Sequence, residues 1–294
     1  MEFIRPTTDR LLAAWVHVVN GEEITGAITT RNLSFRYSRA PEPVLKGIDL
    51  EIEPGCCVAV WGSAKSTLLM ALGGVIPHLI SGHMEGEVLV EGLDTHSTPL
   101  RELAKRVGIV LQDPENQLFN LTVEHDVVFG MENLRVPREE MGRRLERVLD
   151  LVGLTPLRHR PSSQLSGGQK QRASIAAVLA VEPKILILDE PTRELDPLGT
   201  EEVFRVLRRL KEDGVTIVLV ENDPGQIAPL ADRVLFLDDG RVSVDASPRQ
   251  FYCELREDTR IRMPQVTEAF FRAPPPGEQD VPLTVEEGER AYGG

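Results

Sequence analysis

The sequence has few cysteines, and none in an arrangement typical of a disulfide scaffold or a metal centre. Three cysteines occur among 294 residues, and two of them, Cys56 and Cys57, are adjacent. A disulfide framework needs more cysteines, and an adjacent pair matches no familiar metal-ligand spacing. Both residues lie in an apolar run, which predicts buried free thiols in a strand. The cysteine content therefore favours a reducing, cytoplasmic environment.

Long hydrophobic runs and excess positive charge are also missing. No segment has the ~18 consecutive apolar residues that a membrane-spanning helix requires, so any membrane role is expected to act through a partner. Segment 1–26 lacks a basic start and a cleavage site, and we interpret it as an extension that forms an amphipathic helix or orders on contact. The formal net charge of -13 disfavours nucleic acid as a partner, because nucleic-acid binders present a basic face.

Apolar strands alternate with helical patterns over most of the chain. Continuous apolar runs such as "ILIL" (185–188) and "TIVLV" (216–220) predict an α/β fold with a mostly parallel sheet and flanking helices. "ITTRNLSFRY" and "GIDLEIEP" are typical of strands at a β edge. The final residues are rich in proline, glycine and acidic side chains, which predicts a poorly ordered tail.

An apolar strand that ends in two carboxylates is the first candidate for chemistry. "KILILDEP" places Asp189 at the carboxyl edge of the predicted sheet, where ligands bind in open α/β folds. Asp189 is suited to hold Mg²⁺ together with a hydroxyl from Ser66. Glu190 follows directly and is suited to polarise an attacking water.

"QLSGGQKQR", residues 164–172, is the most specific stretch of the chain. Ser166 and two glycines open a predicted helix, where free N–H groups and the helix dipole attract anions. The glycines let a phosphate approach the backbone closely. A plain serine cap is the alternative, but "LSGGQ" followed by "LDEP" favours a phosphate-binding element.

"AVWGSAKST", residues 59–67, resembles a phosphate-binding loop that has lost part of its length. The usual pattern is G-x-x-x-x-G-K-[ST], in which backbone N–H groups surround phosphates. Here Gly62, Ser63 and Ala64 alone separate the apolar run from Lys65. The shortened turn is expected to enclose a phosphate less completely, while Lys65 still supplies a point charge.

Together, "LSGGQKQR", "ILILDEP", "LQDP", "ELDP" and "AVWGSAKST" resemble the nucleotide-binding domain of an ATP-binding cassette (ABC) protein. Within that family, "VGIVLQDPENQLFNLTVEHDVVFG" is similar to the ATPase subunits of energy-coupling factor (ECF) importers of vitamins or metal ions. The resemblance implies a P-loop NTPase-like fold with an antiparallel β edge. It spans 27–250, with a helical subdomain at about 113–165 and a C-terminal extension at 251–294.

The resemblance also implies roles for residues at this chain's own nucleotide site, with ATP and Mg²⁺ as cofactors. Tyr37 would stack on adenine, Lys65 would contact the β- and γ-phosphates, and Thr67 would lie on the α-phosphate side. Gln112 would couple the γ-phosphate site to a membrane partner. Ser66, Gln112 and Asp189 would hold Mg²⁺, and Glu190 would support hydrolysis. The remaining loop positions implied to contact nucleotide are Gly62, Ser63 and Ala64.

A second group of residues is implied to act across a head-to-tail dimer. The stretch Ser166, Gly167, Gly168 and Gln169 would close on the nucleotide held by another subunit. Asp196, in "RELDP", would lie at the dimer seam.

Two further departures from the family pattern accompany the short loop. Asn222 stands where the family usually has a catalytic histidine, and it can donate a hydrogen bond but carries no charge. Arg193 and Glu194 replace a small pair, which is expected to alter contacts between subunits. These changes predict a subunit whose own site is weakened while its Ser166 segment completes the site of a different ATPase subunit.

The sequence therefore predicts an importer ATPase subunit, peripheral to the cytoplasmic face of the membrane. Its expected partners are a transmembrane coupling subunit, a substrate-binding membrane subunit and a second ABC ATPase. One alternative is a non-catalytic structural or regulatory subunit, which the departures favour and Asp189 and Glu190 oppose. Another is a soluble cassette ATPase of DNA repair or translation, for which the chain offers neither a second cassette nor a zinc-binding cysteine pattern.

Overall fold

A six-stranded sheet forms the centre of the chain in a computed structural model that describes residues 17–19, 22–24, 26–275 and 280–293. Its order is β12-β11-β5-β10-β9-β8, with parallel pairing from β11 to β8 and antiparallel pairing of β12. A four-stranded antiparallel sheet has the order β4-β3-β6-β7, and β1 pairs with β2 as a hairpin. The prediction of an edge strand is right for β4 but wrong for β3, which pairs with both β4 and β6. The strands are β1 (His17–Val19), β2 (Glu22–Ile24), β3 (Ile28–Tyr37), β4 (Leu45–Ile52), β5 (Cys57–Gly62), β6 (Gly82–Val90), β7 (Leu93–Asp94), β8 (Val107–Val110), β9 (Ile185–Asp189), β10 (Thr216–Val220), β11 (Arg233–Asp238) and β12 (Arg241–Ala246).

Helices connect most of the parallel strands and extend to the C-terminal region. They are α1 (Lys65–Leu72), α2 (Val75–His78), α3 (Leu100–Leu103), α4 (Val123–Asn133), α5 (Arg138–Leu151), α6 (Gly167–Leu179), α7 (Pro197–Glu212), α8 (Pro224–Leu230), α9 (Pro248–Glu254), α10 (Gln265–Arg272) and α11 (Val285–Tyr292), with short 3-10 helices at Pro114–Asn116, Thr155–Leu157 and Ser162–Gln164. Segment 113–165, predicted to be a helical subdomain, contains α4 and α5. Its bounds as a subdomain stay a prediction.

The six-stranded sheet is buried on both faces. Along β10, Ile217 and Leu219 pack into a cluster with α4, α5, α6 and α7, whereas Val218 and Val220 pack into a cluster with α1 and the antiparallel sheet. This alternation follows from the two-residue period of a strand. It explains why β10 is apolar throughout, and it confirms the predicted α/β fold with an antiparallel β edge.

The carboxyl ends of the parallel strands carry the candidate site. β5 ends at the short loop, β10 precedes Asn222, β9 ends in Asp189, and β8 lies two residues before Gln112. Because β5, β10, β9 and β8 are consecutive neighbours, their following residues meet at one sheet edge.

The two adjacent cysteines are free thiols, as predicted. Burial raises the pKa of Cys57 to about 12 and that of Cys56 to about 11. Both therefore stay protonated near neutral pH and act as small core residues.

The C-terminal extension, predicted to be partly disordered, is folded where the structure describes it. Phe251 and Tyr252 of α9 are fully buried and pack with Trp61 of β5. The chain then returns, so that Thr267 of α10 donates a 2.5 Å hydrogen bond to the carbonyl of Pro282. Thr284 caps α11, whose packing on α10 is a long-range contact that local composition does not reveal.

The predicted N-terminal helix lies largely outside the described residues. The nearest described strands, β1 and β2, form an antiparallel hairpin. None of the helices within the described ranges is both long and apolar enough to cross a membrane.

Candidate nucleotide-binding site

The loop between β5 and α1 is a tight turn whose groups bond within the chain. Gly62 has φ of 98°, and a Cβ atom there would lie 2.0 Å from the carbonyl oxygen of Leu237. The N–H of Ser63 donates to that same oxygen at 2.9 Å. The Lys65 ammonium donates to the Gly62 carbonyl at 3.1 Å. The Ser63 amide and the Lys65 side chain are thus occupied by the protein itself.

Ala64 adopts the conformation that the family's glycine would favour. It has φ of 59° and ψ of 15° and directly precedes α1. A left-handed backbone costs roughly 1–2 kcal/mol for a residue with a Cβ atom. The turn therefore keeps at this position a left-handed backbone, which glycine adopts without that cost.

Tyr37 contacts the first turn of α1. Its hydroxyl lies 2.9 Å from the hydroxyl of the buried Thr67, and its ring packs edge-on against Phe35 with centroids 5.0 Å apart. Stacking of Tyr37 on adenine and contact of Thr67 with phosphate stay predictions, since both side chains bond to each other here.

The two carboxylates after β9 are held at the sheet edge. Asp189 pairs in register with Val220 of β10, and the N–H of Glu190 donates to the Val220 carbonyl at 2.8 Å. Glu190 has φ of 47°, which turns the chain sharply after the strand. Both side chains are half-buried. The roles of Asp189 as a metal ligand and of Glu190 as a water-activating group stay predictions.

Arg193 joins two of the predicted site residues. One guanidinium nitrogen lies 3.4 Å from a carboxylate oxygen of Glu190. The Gln112 side-chain amide also faces this guanidinium, and its oxygen accepts from Arg193 when the amide is oriented to suit its neighbours. The sequence predicted contacts of Arg193 between subunits, whereas within this chain the side chain contacts its own site.

Glu221 is a site residue that sequence analysis missed. It is 4% exposed, and its carboxylate accepts hydrogen bonds from the hydroxyl and the N–H of Thr192 and from the N–H of Asn222. Burying a carboxylate is costly unless hydrogen bonds satisfy it. Glu221 thereby ties the Glu190 turn to the Asn222 turn. Its position directly after the apolar strand "IVLV" and before Asn222 is the sequence feature that could have identified it as a site residue.

The "LSGGQ" segment opens α6, as predicted, and it forms a capping box there. Its binding of phosphate stays a prediction. The Ser166 hydroxyl accepts from the N–H of Gln169 at 3.4 Å, and the Gln169 side chain accepts from the N–H of Ser166 at 3.1 Å. Ser166 and Gly167 are exposed. Among the described residues, no hydrogen bond or ion pair links this segment to the loop before α1.

Asp196 caps the neighbouring helix α7. Its carboxylate accepts from the N–H of Gly199 at 2.7 Å, and a Cβ atom on Gly168 would lie 3.6 Å from the Cα of Gly199. The caps of α6 and α7 therefore lie side by side. Their placement at a dimer seam stays a prediction.

The donor set of the site fits Mg²⁺, but the short loop offers fewer hydrogen-bond donors to the phosphates of ATP. Ser66, Asp189 and Gln112 offer a hydroxyl, a carboxylate and an amide oxygen from neighbouring elements, and Mg²⁺ prefers oxygen ligands. Lys65 and the first turn of α1 can hold phosphate. Since the Ser63 N–H is already bonded to Leu237, the loop offers fewer donors than an intact one.

Comparison with known proteins places the chain in a family. The sequence profile of the ABC transporter family matches residues 45–193. An ABC transporter ATP-binding protein of Pyrococcus abyssi is 44% identical over 243 residues, covering 81% of this chain and 87% of that protein. One from Caldanaerobacter subterraneus subsp. tengcongensis is 40% identical over 272 residues, covering 90% of this chain and 48% of that protein. The chain thus spans about half of the second relative.

Solved structures agree with the family match. The structure of cbiO1 from Clostridium perfringens, part of the ABC transporter complex cbiONQ, has a TM-score of 0.71 and 32% identity, covering 85% of this chain and 96% of that one. A dimeric ATP-binding cassette in a post-hydrolysis state with ADP and Pi has a TM-score of 0.66 and 30% identity, covering 76% and 99%. The chain belongs to the ABC transporter family. It is an ABC ATPase and the ATP-binding subunit of a transporter, and the predicted resemblance is confirmed.

Proposed function

We propose that this chain is an ATPase subunit of an ECF-type importer whose own nucleotide site is weakened. Its Ser166 segment completes the site of a second, intact ATPase subunit. The observation that carries this proposal is the contrast between the two elements. The "LSGGQ" cap is fully formed and exposed. The donors of the loop before α1, by contrast, bond to carbonyl groups of the chain itself.

At the partner's site, this chain contributes positioning and positive potential. The N–H groups of Gly167 and Gly168 begin α6 and carry the positive end of the helix dipole. Phosphoryl transfer depends on positioning and charge neutralisation, which such a helix end supplies to a γ-phosphate. The cap of Asp196 orders the adjoining start of α7.

At its own site, the chain keeps the carboxylates proposed to support hydrolysis but lacks the positive charge of the family's histidine. In this proposal Lys65 and Ser66 contact phosphate, Asp189 and Gln112 provide oxygens for Mg²⁺, and Glu190 polarises water. Bound Mg²⁺ would neutralise charge on the β- and γ-phosphates. Asn222 can orient a water by a hydrogen bond but adds no positive charge. Weak binding and slow turnover at this site are the expected consequences.

Exposed apolar residues near Gln112 support a transmembrane partner. Phe119 is 63% exposed and Leu121 82% exposed, and Phe119 packs edge-on against Phe129 of α4. These three residues, which we call the aromatic ledge, lie in the first part of the helical subdomain, which begins directly after Gln112. A cluster of exposed apolar side chains marks an interaction surface. We infer that the coupling subunit binds here at the cytoplasmic face of the membrane. A vitamin or metal ion is selected by the substrate-binding subunit.

The test is ATP hydrolysis by the chain alone and in a heterodimer with an intact ECF-type ATPase cassette. We expect little hydrolysis alone and rapid hydrolysis in the heterodimer. Gly168→Asp places a negative charge at the α6 N-terminus and should lower the heterodimer rate by about tenfold or more. Gly142→Asp is the matched control, because it adds the same charge on α5, where a Cβ atom meets nothing within 4 Å. Glu190→Gln should change the heterodimer rate little.

Two outcomes contradict this proposal. If Glu190→Gln stops hydrolysis while Gly168→Asp does not, this chain's own site is the active one. If the heterodimer hydrolyses no faster than the chain alone and neither variant matters, the chain is a structural or regulatory subunit. The short, self-bonded loop is the observation that favours this second function.

A further inference from the structure

The short loop borders a cavity that the C-terminal segment covers. The cavity has a volume of about 620 Å³. It lies between the loop, the ends of β10 and β11, and residues 260–262. Its lining residues are Trp61, Gly62, Ser63, Lys65, Glu221, Asn222, Phe236, Leu237, Asp238, Arg260, Ile261 and Arg262. Gly62 lies close against the backbone of Leu237. The three residues that an intact phosphate-binding loop has and this loop lacks would therefore have to extend from Gly62 beside the cavity.

Arg260 fixes the C-terminal segment over the cavity. Its guanidinium pairs with Asp238 of β11 at 2.9 Å and with Asp258 at 2.7 Å, and it lies 5.0 Å from the Phe236 ring centroid. These hydrogen bonds raise the pKa of Arg260, and the bond from Arg260 lowers that of Asp258. Ile261 is 8% exposed and packs in the same cluster as Trp61. The ion pairs of Arg260 and the packing of Ile261 thus fix the backbone next to Arg262.

Two cations at this cavity have no carboxylate partner within the described part of the chain. Lys65 bonds only to the Gly62 carbonyl, and Arg262 has no hydrogen bond or ion pair to any described residue. The carboxylates of the lining are already engaged. Asp238 pairs with Arg260, and Glu221 accepts from Thr192 and from the N–H of Asn222. The cavity therefore has two positive charges available to an anion.

We propose that Arg262 replaces the missing part of the phosphate loop. It supplies, from the C-terminal extension, a second cation to a nucleotide polyphosphate held at Lys65. This inference rests on the proposed function, in which the chain's own site still binds nucleotide weakly. A guanidinium suits this task because its planar donors match phosphate oxygens in pairs. It offsets the donors that the short loop lacks.

The test uses the full chain and a fluorescent ATP analogue in the presence of Mg²⁺. Arg262→Gln should weaken binding of the analogue by about tenfold, since a charge-assisted hydrogen bond is lost. Arg262→Lys should recover part of the affinity because it keeps the charge. Arg256→Gln is the matched control in the same segment, since Arg256 pairs with Glu257 instead. Inorganic pyrophosphate should displace the analogue from wild type more effectively than from Arg262→Gln, which identifies phosphate as the group bound.

A loop-restored chain provides the second measurement. Insertion of three residues before Ser63, with Ala64→Gly, should strengthen binding and remove the effect of Arg262→Gln. The inference is overturned if Arg262→Gln binds like wild type while Lys65→Ala loses binding, and the proposed weak site then stands. If neither wild type nor the loop-restored chain binds nucleotide, the weak site itself is wrong and the role of Arg262 falls with it.

Discussion

At the scale of single residues, Arg193 contacts two predicted site residues in the chain without nucleotide. Its guanidinium contacts the Glu190 carboxylate and the Gln112 amide, two groups that a nucleotide with Mg²⁺ would also engage. Arg193 is 55% exposed on its side chain, so solvent weakens the pair. If both groups engage Mg-ATP as proposed, this contact competes with its binding.

Removal of this contact should favour the Mg²⁺-bound state. We expect Arg193→Ala to strengthen binding of Mg-ATP by up to about fivefold, the scale of an exposed ion pair. Binding of ATP without Mg²⁺ should change less. Fluorescence titration with and without Mg²⁺ measures both, and Arg205→Ala on the exposed side of α7 is the control. Weaker Mg-ATP binding in Arg193→Ala contradicts this prediction, because it means that Arg193 contacts the phosphates directly.

At the scale of elements, local patterns predicted most strands and helices, and long-range contacts account for what they missed. "ITTRNLSFRY" is β3 over its whole length, and Asp189 ends β9 as expected, because both depend on short-range patterning. The Ser166 cap was also predictable from its own residues. The contacts of Arg193 with Gln112 and of Glu221 with Thr192 were not, because each joins residues that follow different strands and are distant in sequence.

The C-terminal elements are the clearest case of such long-range packing. Composition predicted a poorly ordered tail, but α10 and the segment before α11 pack through Thr267, which is 0% exposed. Its hydroxyl donates to the Pro282 carbonyl. Arg249 of α9 adds an ion pair to Glu287 of α11 at 2.6 Å. These contacts connect the end of the chain to the helices that follow the central sheet.

Thr267→Val should therefore destabilise the C-terminal helices. The substitution leaves the Pro282 carbonyl without its partner, which costs about 1–2 kcal/mol. Urea unfolding should show the lower free energy, and limited proteolysis should cut near 274–284 sooner than in wild type. Thr259→Val, at an exposed position of the same extension, is the control. Equal proteolysis of Thr267→Val and wild type contradicts a role of this hydrogen bond in holding the extension.

At the scale of the whole molecule, function depends on surfaces that a single chain leaves open. The aromatic ledge lies within the helical subdomain and the exposed "LSGGQ" cap directly follows it, and we propose a different partner for each. In the proposed function, Gln112 and the segment that follows it connect hydrolysis at the sheet edge to a membrane subunit. The net charge of -13 keeps the remaining surface repulsive toward acidic partners.

The aromatic ledge gives the prediction that belongs to the assembled transporter. Leu121 is 82% exposed, so Leu121→Asp should leave folding and nucleotide binding unchanged. In an apolar interface, however, the added carboxylate loses water without gaining a partner, and this cost should abolish association with the coupling subunit. Co-purification of the chain with the membrane subunits measures the effect. Val285→Asp is the matched control, since Val285 is 66% exposed but lies on α11. If Val285→Asp rather than Leu121→Asp releases the membrane subunits, the docking surface lies on the C-terminal extension, and the extension would then have to serve both the phosphate site and the membrane partner.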